Sequence, residues 1–277
     1  MPLRSAEIQT KDFTITPSRF LMPQSSKSLI KTIAAILFIM FVVFCIVSSI
    51  PSGSNVFYQL SKAETFPVIQ NSRIYSIYDN PYGTSYGNWT AKWWEWAYSI
   101  PSKTNPAYDN TGKLCSINQT TPVWFLPGTY GHDVVRKCAL SNNTSILFPI
   151  LNSECSYAEF PYMKNESQLR DCAKAEQDKI NSLEASIDGI KLTNLNQYRL
   201  QSPLFNFSLP DDNILHLKPQ TTQGVSDGNW VFLRPLSIGI HTISFRGDTI
   251  DSSGNNTDSF ALPTGWNYNT TYFLSIK

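Results

Sequence analysis

The sequence predicts a mainly β extracytoplasmic domain, of β-sandwich or jelly-roll type, preceded by one transmembrane helix. Residues 32–50 form an uncharged apolar run that is long enough to cross about 30 Å of hydrocarbon as a helix. The chain's 17 prolines and 13 glycines are spread along its length, which favours short strands and turns over long helices. Short β-rich runs separated by turn signals recur between residues 122 and 277.

The apolar run sets the predicted topology. Lys27 and Lys31 precede it, and the next basic residue is Lys62. Because positive charge stays on the cytoplasmic side, we expect four segments: a cytoplasmic tail (1–31), a signal anchor (32–50), a stalk (51–75) and an extracellular domain (76–277). A cleaved signal peptide is the alternative, although Ser48 and Ser49 offer only a weak cleavage site.

The charge distribution bears on the partners. The tail has a net charge of +3 and the remainder −2, without a basic cluster. This balance argues against nucleic acid as a partner. The expected partners are the membrane and, outside it, a cell-surface glycan or an envelope protein.

Four cysteines lie on the predicted outer side: Cys115, Cys138, Cys155 and Cys172. We expect sequential pairing because those loops are short, while the other two connectivities stay open. A zinc site is disfavoured because closely spaced ligand pairs are absent. Glycosylation acceptor motifs occur at Asn88, Asn118, Asn142, Asn143, Asn165, Asn206, Asn255 and Asn269.

The first element of the domain is a short Trp-rich helix from Trp89 to Ile100, stopped by Pro101. Helical spacing places four residues on one stripe that we expect to be core: Trp89, Trp93, Trp96 and Ile100. Trp94 and Tyr98 point elsewhere on the helix and are candidates to stack on a ligand. Asn88 is a natural N-cap.

Strands and a second helix follow. Two β-rich runs, 122–131 and 133–140, predict a hairpin, and 144–154 predicts a strand with an edge or bulge at Pro149. Asn165 and Gln168 form a cap pair. They open an amphipathic helix of about 18 residues, by the helical spacing of Leu169, Cys172, Ala173, Ile180, Leu183 and Ile187.

The last third of the chain is predicted to form a series of strands. Asp188-Gly189 between two apolar runs predicts a hairpin. Four more strands are expected from "SPLFNFSLP", "DGNWVFLRPL", "GIHTISFRG" and "NTTYFLSIK". In the third of these, alternation places His241, Ile243 and Phe245 on one face.

Chemical motifs are sparse. Walker, dinucleotide-binding, zincin, nucleophile-elbow and C-x-x-C patterns are all missing from the sequence. We expect His241 to be a structural residue, His216 a half-exposed strand position and His132 a loop residue. No metal or cofactor is expected, and the Asp- and Asn-rich loop 247–259 is interpreted as solvated and glycosylated. Glu154 and Glu159 are a possible acid–base pair.

Five segments together carry a family resemblance: "YGNWTAKWWEWAYSIP", "PVWFLPGTYG", "LFPILNSECS", "YRLQSPLFNFSLP" and "DGNWVFLRPLSIGIHTISFRG". Over roughly residues 80–277, the chain resembles a family of uncharacterised secreted or membrane-anchored proteins of archaea and bacteria. The resemblance implies an extracytoplasmic β-rich domain. It brings no established activity and no catalytic residues.

The functional expectation is a single-pass cell-surface protein whose disulfide-stapled sandwich is a binding or envelope-interaction module rather than an enzyme. The expected contact residues, all of which we expect to be exposed, are Trp94, Tyr98, Tyr130 and His132. One alternative is a secreted or anchored carbohydrate-active hydrolase that uses Glu154 and Glu159. Another is an accessory subunit of a membrane complex, recognised through its anchor.

Overall fold

The structure is a computed structural model that describes residues 72–249, 265 and 267–277. The predicted tail and signal anchor, with most of the predicted stalk, lie outside the described residues. Within the described part of the chain, no helix has the length and apolar character needed to cross a membrane. The described residues contain two α-helices, α1 (Tyr86–Ser99) and α2 (Glu166–Gln177). The strands are β1 (Val123–Phe125), β2 (Val134–Leu140), β3 (Ser145–Ser156), β4 (Ile180–Ile187), β5 (Ile190–Lys191), β6 (Arg199–Gln201), β7 (Phe205–Leu209), β8 (Gln220–Leu233), β9 (Gly239–Thr249) and β10 (Asn267–Ile276).

The strands form two five-stranded sheets. The first has the order β1-β3-β8-β6, with β7 also paired to β8, and the second has the order β2-β10-β9-β4-β5. Both sheets are mixed, because β1 runs parallel to β3 and β2 runs parallel to β10. The predicted hairpin between residues 122–131 and 133–140 is therefore wrong. Its two arms pair with distant strands in different sheets, which local turn signals cannot reveal.

The core lies between the two sheets. Phe148 of the first sheet stacks on Phe245 of the second, with ring centroids 4.7 Å apart, and Tyr272 stacks on the same phenylalanine. His241, Ile243 and Phe245 are all buried on one face of β9, as the alternation predicts. The prediction of a mainly β, sandwich-type domain with two helices is confirmed.

Helix α1 covers the opposite face of the first sheet. The four residues of the predicted stripe are buried there with Phe125, Trp230 and Phe232, so that prediction is confirmed. Ser85, not Asn88, is the N-cap: its Oγ accepts from the backbone N–H of Asn88 at 3.3 Å. The helix begins three residues earlier than predicted, because Ser85 is the first side chain able to accept from the free N–H groups of its first turn.

Helix α2 is shorter than predicted, with 12 residues. Its cap is the expected one, since Asn165 Oδ1 accepts from Gln168 N at 3.1 Å. Ile180, Leu183 and Ile187 belong to β4 instead, which pairs with β9. Pairing with a neighbouring strand outweighs the helical spacing of these residues, as tertiary context commonly does.

Three local predictions are confirmed. Asp188 and Gly189 have φ of +53° and +77°, as a primed hairpin turn requires, and they join β4 to β5. The register between β3 and β8 shifts between Pro149 and Leu151, which marks a bulge at the proline. Both disulfides pair sequentially, Cys115 with Cys138 and Cys155 with Cys172.

The acceptor asparagines of the described residues differ in exposure. Six of them are exposed: Asn88, Asn118, Asn142, Asn143, Asn165 and Asn206. Asn269 is half-buried and donates to Thr271 Oγ1 at 3.0 Å, while Asn255 lies outside the described residues. Glycosylation of any of these side chains stays a prediction.

Candidate binding cavity

A cavity of about 590 Å³ opens beside β3. Six consecutive residues of that strand, 149–154, form one wall. The others are contributed by helix α1, by the segments 107–108, 127–130 and 214–217, by Glu159, and by residues of β9 and β10. The volume falls within the usual range for small-molecule sites, about 300–1,000 Å³.

A proline explains why the sheet opens here. Strand β1 pairs with β3 in parallel as far as Phe125, and Leu126 N donates to Leu147 O at 3.0 Å. The next ladder bond would run from the N–H of residue 149 to the carbonyl of Leu126, but Pro149 has no N–H. The indole Nε1 of Trp93 donates to that carbonyl instead, at 3.2 Å. The chain after Leu126 then leaves β3, and both segments line the cavity.

The inner end of the cavity carries two carboxyl groups. Glu154 lies near the end of β3, and a turn at residues 157–159 brings Glu159 back towards it. Ser156 Oγ donates to Glu159 Oε2 at 2.5 Å. Glu154 and Glu159 are only 6% and 8% exposed. The disulfide from Cys155 to Cys172 ties this strand end to α2.

The two carboxyl groups lie within hydrogen-bonding reach of each other. Burial first, and then the charge and hydrogen bond of Glu159, raise the pKa of Glu154 well above its usual range, although Tyr98 and Ser156 act in the opposite sense. The Tyr98 hydroxyl donates to Glu154 Oε2 at 2.7 Å. Among the described residues, no N–H or O–H group donates to Oε1.

Aromatic rings form the wall contributed by α1. Trp94 and Tyr98 are one helical turn apart, and their ring centroids are 5.0 Å apart. Tyr98 also packs on Phe207 of β7, at 4.7 Å. Both residues line the cavity, yet they are 6% and 3% exposed. The expectation of exposed contact residues on this helix is therefore wrong, because the helix is buried between the first sheet and the 214–217 segment.

A buried arginine positions the wall opposite. Arg136 of β2 is 1% exposed, and its guanidinium donates to five acceptors: the carbonyls of Ala107, Asp109, Pro127 and Gly128 and the hydroxyl of Tyr272. These contacts hold the two loops that carry Tyr108 and Tyr130, whose ring centroids are 5.3 Å apart. Tyr130 lines the cavity and is 45% exposed.

Asn213 positions the wall that the 214–217 segment forms. Its buried Nδ2 donates to the carbonyls of Pro210 and Leu217, both at 2.7 Å, and its Oδ1 accepts from Leu217 N at 3.2 Å. His216 lies in this loop with φ of +54° and is exposed. The expected strand position for His216 is wrong, because the segment turns around the Asn213 side chain.

The cavity brings together five of the six residues proposed from the sequence as contact or catalytic groups: Trp94, Tyr98, Tyr130, Glu154 and Glu159. The sixth, His132, does not line it. His132 is an exposed loop residue, as predicted for its backbone, and its Nε2 lies 2.8 Å from Asn110 Oδ1. His241 is structural, as predicted, with Nδ1 2.9 Å from Asp188 Oδ2.

No cluster of metal-binding side chains is found among the described residues. Three residues that position the cavity walls without lining the cavity were not predicted from the sequence: Arg136, Asn213 and Gly224. A Cβ at Gly224 would collide with the Glu154 carboxyl group and lie 3.1 Å from the Phe207 ring. A lone Arg within an alternating strand was the available signal for Arg136, since its burial pattern places it inward.

No protein-family model matches this chain, and a comparison with curated proteins finds no match. Among solved structures, the chain is similar to a cysteine protease inhibitor from Entamoeba histolytica. The two share 13% identity over 56% of this chain and 96% of that one, with a TM-score of 0.22. This likeness carries no argument about fold or function. The resemblance to an uncharacterised extracytoplasmic family stays a prediction, and the functional interpretation rests on the cavity.

Proposed function

We propose that this protein is a membrane-tethered binding module that takes a small organic ligand into the cavity beside β3. The observation that carries the proposal is the convergence of Trp94, Tyr98, Tyr130, Glu154 and Glu159 on one site. An apolar cavity with a few converging polar groups is the usual form of a ligand site. The ligand is proposed to come from the cell surface or envelope, since the sequence predicts an extracellular domain.

The Tyr130 side chain is the best position for a test, because it lines the cavity yet is partly exposed. The full-length protein is screened by thermal shift against soluble glycans, amines and amino acids, and hits are measured by calorimetry. We expect Tyr130→Ala to weaken binding at least about tenfold, as for an aromatic contact residue. Tyr78→Ala is the matched control, because Tyr78 is 87% exposed and does not line the cavity. Equal affinities in the two variants would place the ligand elsewhere.

The membrane tether is tested separately. Carbonate extraction leaves integral proteins in the membrane pellet and releases peripheral ones. We expect the full-length chain to stay in the pellet, because residues 32–50 are uncharged and long enough to span a bilayer. Release into the supernatant would remove the tether from the proposal and leave the binding function standing.

A hydrolase is the second candidate, favoured by the acidic pair. In such an enzyme one carboxylate would take a proton from water while the other carboxyl group protonates the leaving group. Contact between Glu154 and Glu159 argues against the carbohydrate-active form, because two carboxylates that flank a sugar stand about 5–9 Å apart. Turnover of any cavity ligand, lost in Glu154→Gln with folding intact, would favour the enzyme over the binding module.

A further inference from the structure

Three segments of the chain meet at one end of the second sheet: residues 72–74, the β4–β5 turn and the connection from β8 to β9. Arg73 Nη1 lies 3.3 Å from Asp188 Oδ2 of the turn, and the carbonyl of Arg73 accepts from Arg234 N at 2.8 Å. Asp188 Oδ2 also lies 2.9 Å from His241 Nδ1, near the start of β9. The described part of the chain therefore begins at this end of the domain.

The three most exposed large aliphatic side chains of the described residues lie at the same end. Ile238 and Ile240 are each 71% exposed, and Ile190 is 56% exposed. Ile190 follows the β4–β5 turn, and the other two flank Gly239, where β9 begins. Exposed apolar residues that are scattered singly need no explanation. Their concentration at one end of a domain indicates a surface that meets another apolar phase or partner.

A shallow groove extends this apolar surface along the outer face of the second sheet. Its lining includes Ile240, Phe273 of β10 and Ala139 of β2. Phe273 is 40% exposed. The exposed apolar surface is therefore continuous from the β8–β9 connection into the sheet, and it is not confined to isolated side chains.

The charged side chains of the same segments suit a lipid surface. The two carboxylates, Asp79 and Asp188, each pair with an arginine, at 3.5 Å and 3.3 Å. Lys191 is exposed and adds a positive charge beyond those pairs. Long basic side chains keep their charge at the level of lipid head groups while their methylene stems cover apolar surface. This end therefore combines apolar side chains with a small excess of positive charge, as membrane-surface segments do.

The position of the predicted anchor in the sequence favours lipid as the partner. Residues 51–71 separate the predicted anchor from the first described residue, and at about 3.3–3.6 Å each they reach at most about 75 Å. A domain tethered in this way stays within that distance of a bilayer. Because the effective concentration of the bilayer is then high, even weak contacts suffice to hold one end of the domain against it.

We propose that this end of the domain rests on the surface of the lipid bilayer, with Ile190, Ile238 and Ile240 among the lipid head groups. The inference depends on the proposed membrane tether. It also orients the cavity, because β9 runs from Ile240 to the cavity residues Phe245 and Gly247. At about 3.3 Å per residue, Gly247 lies about 23 Å along the strand from Ile240. The part of the second sheet that lines the cavity then faces away from the membrane.

The test measures which surface of the full-length protein contacts lipid. The chain is reconstituted at low density into vesicles of phosphatidylcholine with phosphatidylglycerol as the minor component. Cys45→Ser removes the cysteine outside the two disulfides, and a nitroxide spin label is attached at Ile238→Cys. Glu184→Cys is the matched control site, because Glu184 is exposed on β4 and lies opposite Arg246. That site is distant from the isoleucines and outside the cavity lining.

Collision with a charged nickel chelate, present on both sides of the vesicle, reports the exposure of each label to water. We expect the Ile238→Cys label to collide with the chelate at least about threefold less often than the Glu184→Cys label, because charged solutes are excluded from the apolar part of a bilayer. Molecular oxygen, which dissolves in lipid, should show the opposite order. Thermal melts verify folding, and Ile190→Cys carries the test if Ile238→Cys does not fold.

A further substitution tests whether apolar contact causes the protection. Ile240→Glu places a carboxylate beside the label, and we expect the Ile238→Cys label then to become as accessible to the chelate as the Glu184→Cys label. Val135→Glu is the matched control, since Val135 is 55% exposed on the same sheet but pairs with Thr271, away from this end. It should leave the difference between the two labels unchanged.

Three results would overturn the inference. The first is equal access of the chelate to the two labels, and the second is protection that survives Ile240→Glu. The third is protection that grows with the ratio of protein to lipid, which would place a second copy of the chain on this end. Equal access in a chain that resists carbonate extraction would overturn the orientation and keep the tether. Release of the chain by carbonate would overturn both.

Discussion

Two buried ionisable side chains of this domain differ in how fully their hydrogen-bonding groups are satisfied. Arg136 has a hydrogen-bond acceptor for each of its nitrogens, and those acceptors come from two loops and a strand. Glu154 has a donor for one oxygen and none for the other among the described residues, and it lies against a second carboxyl group. A charge that is fully satisfied within the chain stabilises the fold. A charge left partly unsatisfied beside a cavity is typical of a functional site.

The largest effect on stability is expected at Arg136, whose hydrogen bonds are all satisfied within the chain. Arg136→Met removes the guanidinium donors of four carbonyls and of the Tyr272 hydroxyl, and only Pro127 O keeps a second donor, from Tyr272. The free energy of unfolding should therefore fall by about 3–5 kcal/mol. Urea denaturation measures the loss. Lys137→Met is the control, because Lys137 is exposed on the same strand, and it should change stability by less than about 0.5 kcal/mol. A loss below about 1 kcal/mol in Arg136→Met would contradict the structural role.

A smaller effect on stability is expected from adding a side-chain atom beside Glu154. Gly224→Ala places a methyl group against the Glu154 carboxyl group and the Phe207 ring, which should cost about 1–3 kcal/mol as overpacking. It should also displace Glu154 and weaken ligand binding. Gly128→Ala is the matched control at the same cavity, because its Cβ would meet only Phe245 at an ordinary 3.8 Å. Equal stability and binding in the two variants would show that the approach of Gly224 to Glu154 is unimportant.

The smallest effect, counted per pH unit, is a pH dependence of the stability. Burial and Glu159 raise the pKa of Glu154 in the folded chain above its ordinary value of 4.5. Its contribution to stability is therefore fully present below about pH 4.5 and is lost as the pH rises towards the folded pKa, by at most about 1.4 kcal/mol per pH unit. Glu154→Gln should remove this decline, and Glu184→Gln should retain it. Urea unfolding between pH 4 and 8 compares the three proteins, and parallel curves for all of them would exclude a raised pKa at Glu154.

Much of the fold follows from local patterns. The Trp stripe of α1, the Asp188-Gly189 hairpin, the bulge at Pro149 and the sequential disulfides each depend on short-range spacing, and the sequence predicts them. The two parallel strand pairs and the strand character of 180–187 depend on partners that are distant in the sequence. Periodicity contains no information about such partners.

The candidate site also combines features that the local sequence predicts with features that depend on distant parts of the chain. Glu154, Glu159, Trp94, Tyr98 and Tyr130 could be selected from the sequence because their side chains carry chemistry or large ring surfaces. The sequence could not place Trp94 and Tyr98 inside a cavity, since a loop around Asn213 covers the helix. It also gave no reason to separate His132 from the others. That separation follows from loop geometry, in which His132 turns towards Asn110.

The proline that ends the β1–β3 ladder has a consequence for ligand entry. The two chain segments separate because Pro149 has no backbone N–H to continue the ladder. Trp93 Nε1 donates to the carbonyl of Leu126 that the ladder would have used. The cavity is therefore formed by the chain itself, and its walls need not separate for a ligand to bind. A preorganised binding site loses little conformational entropy when its ligand binds. Its affinity can then come chiefly from the contacts that the guest makes, so even a small molecule could be held firmly.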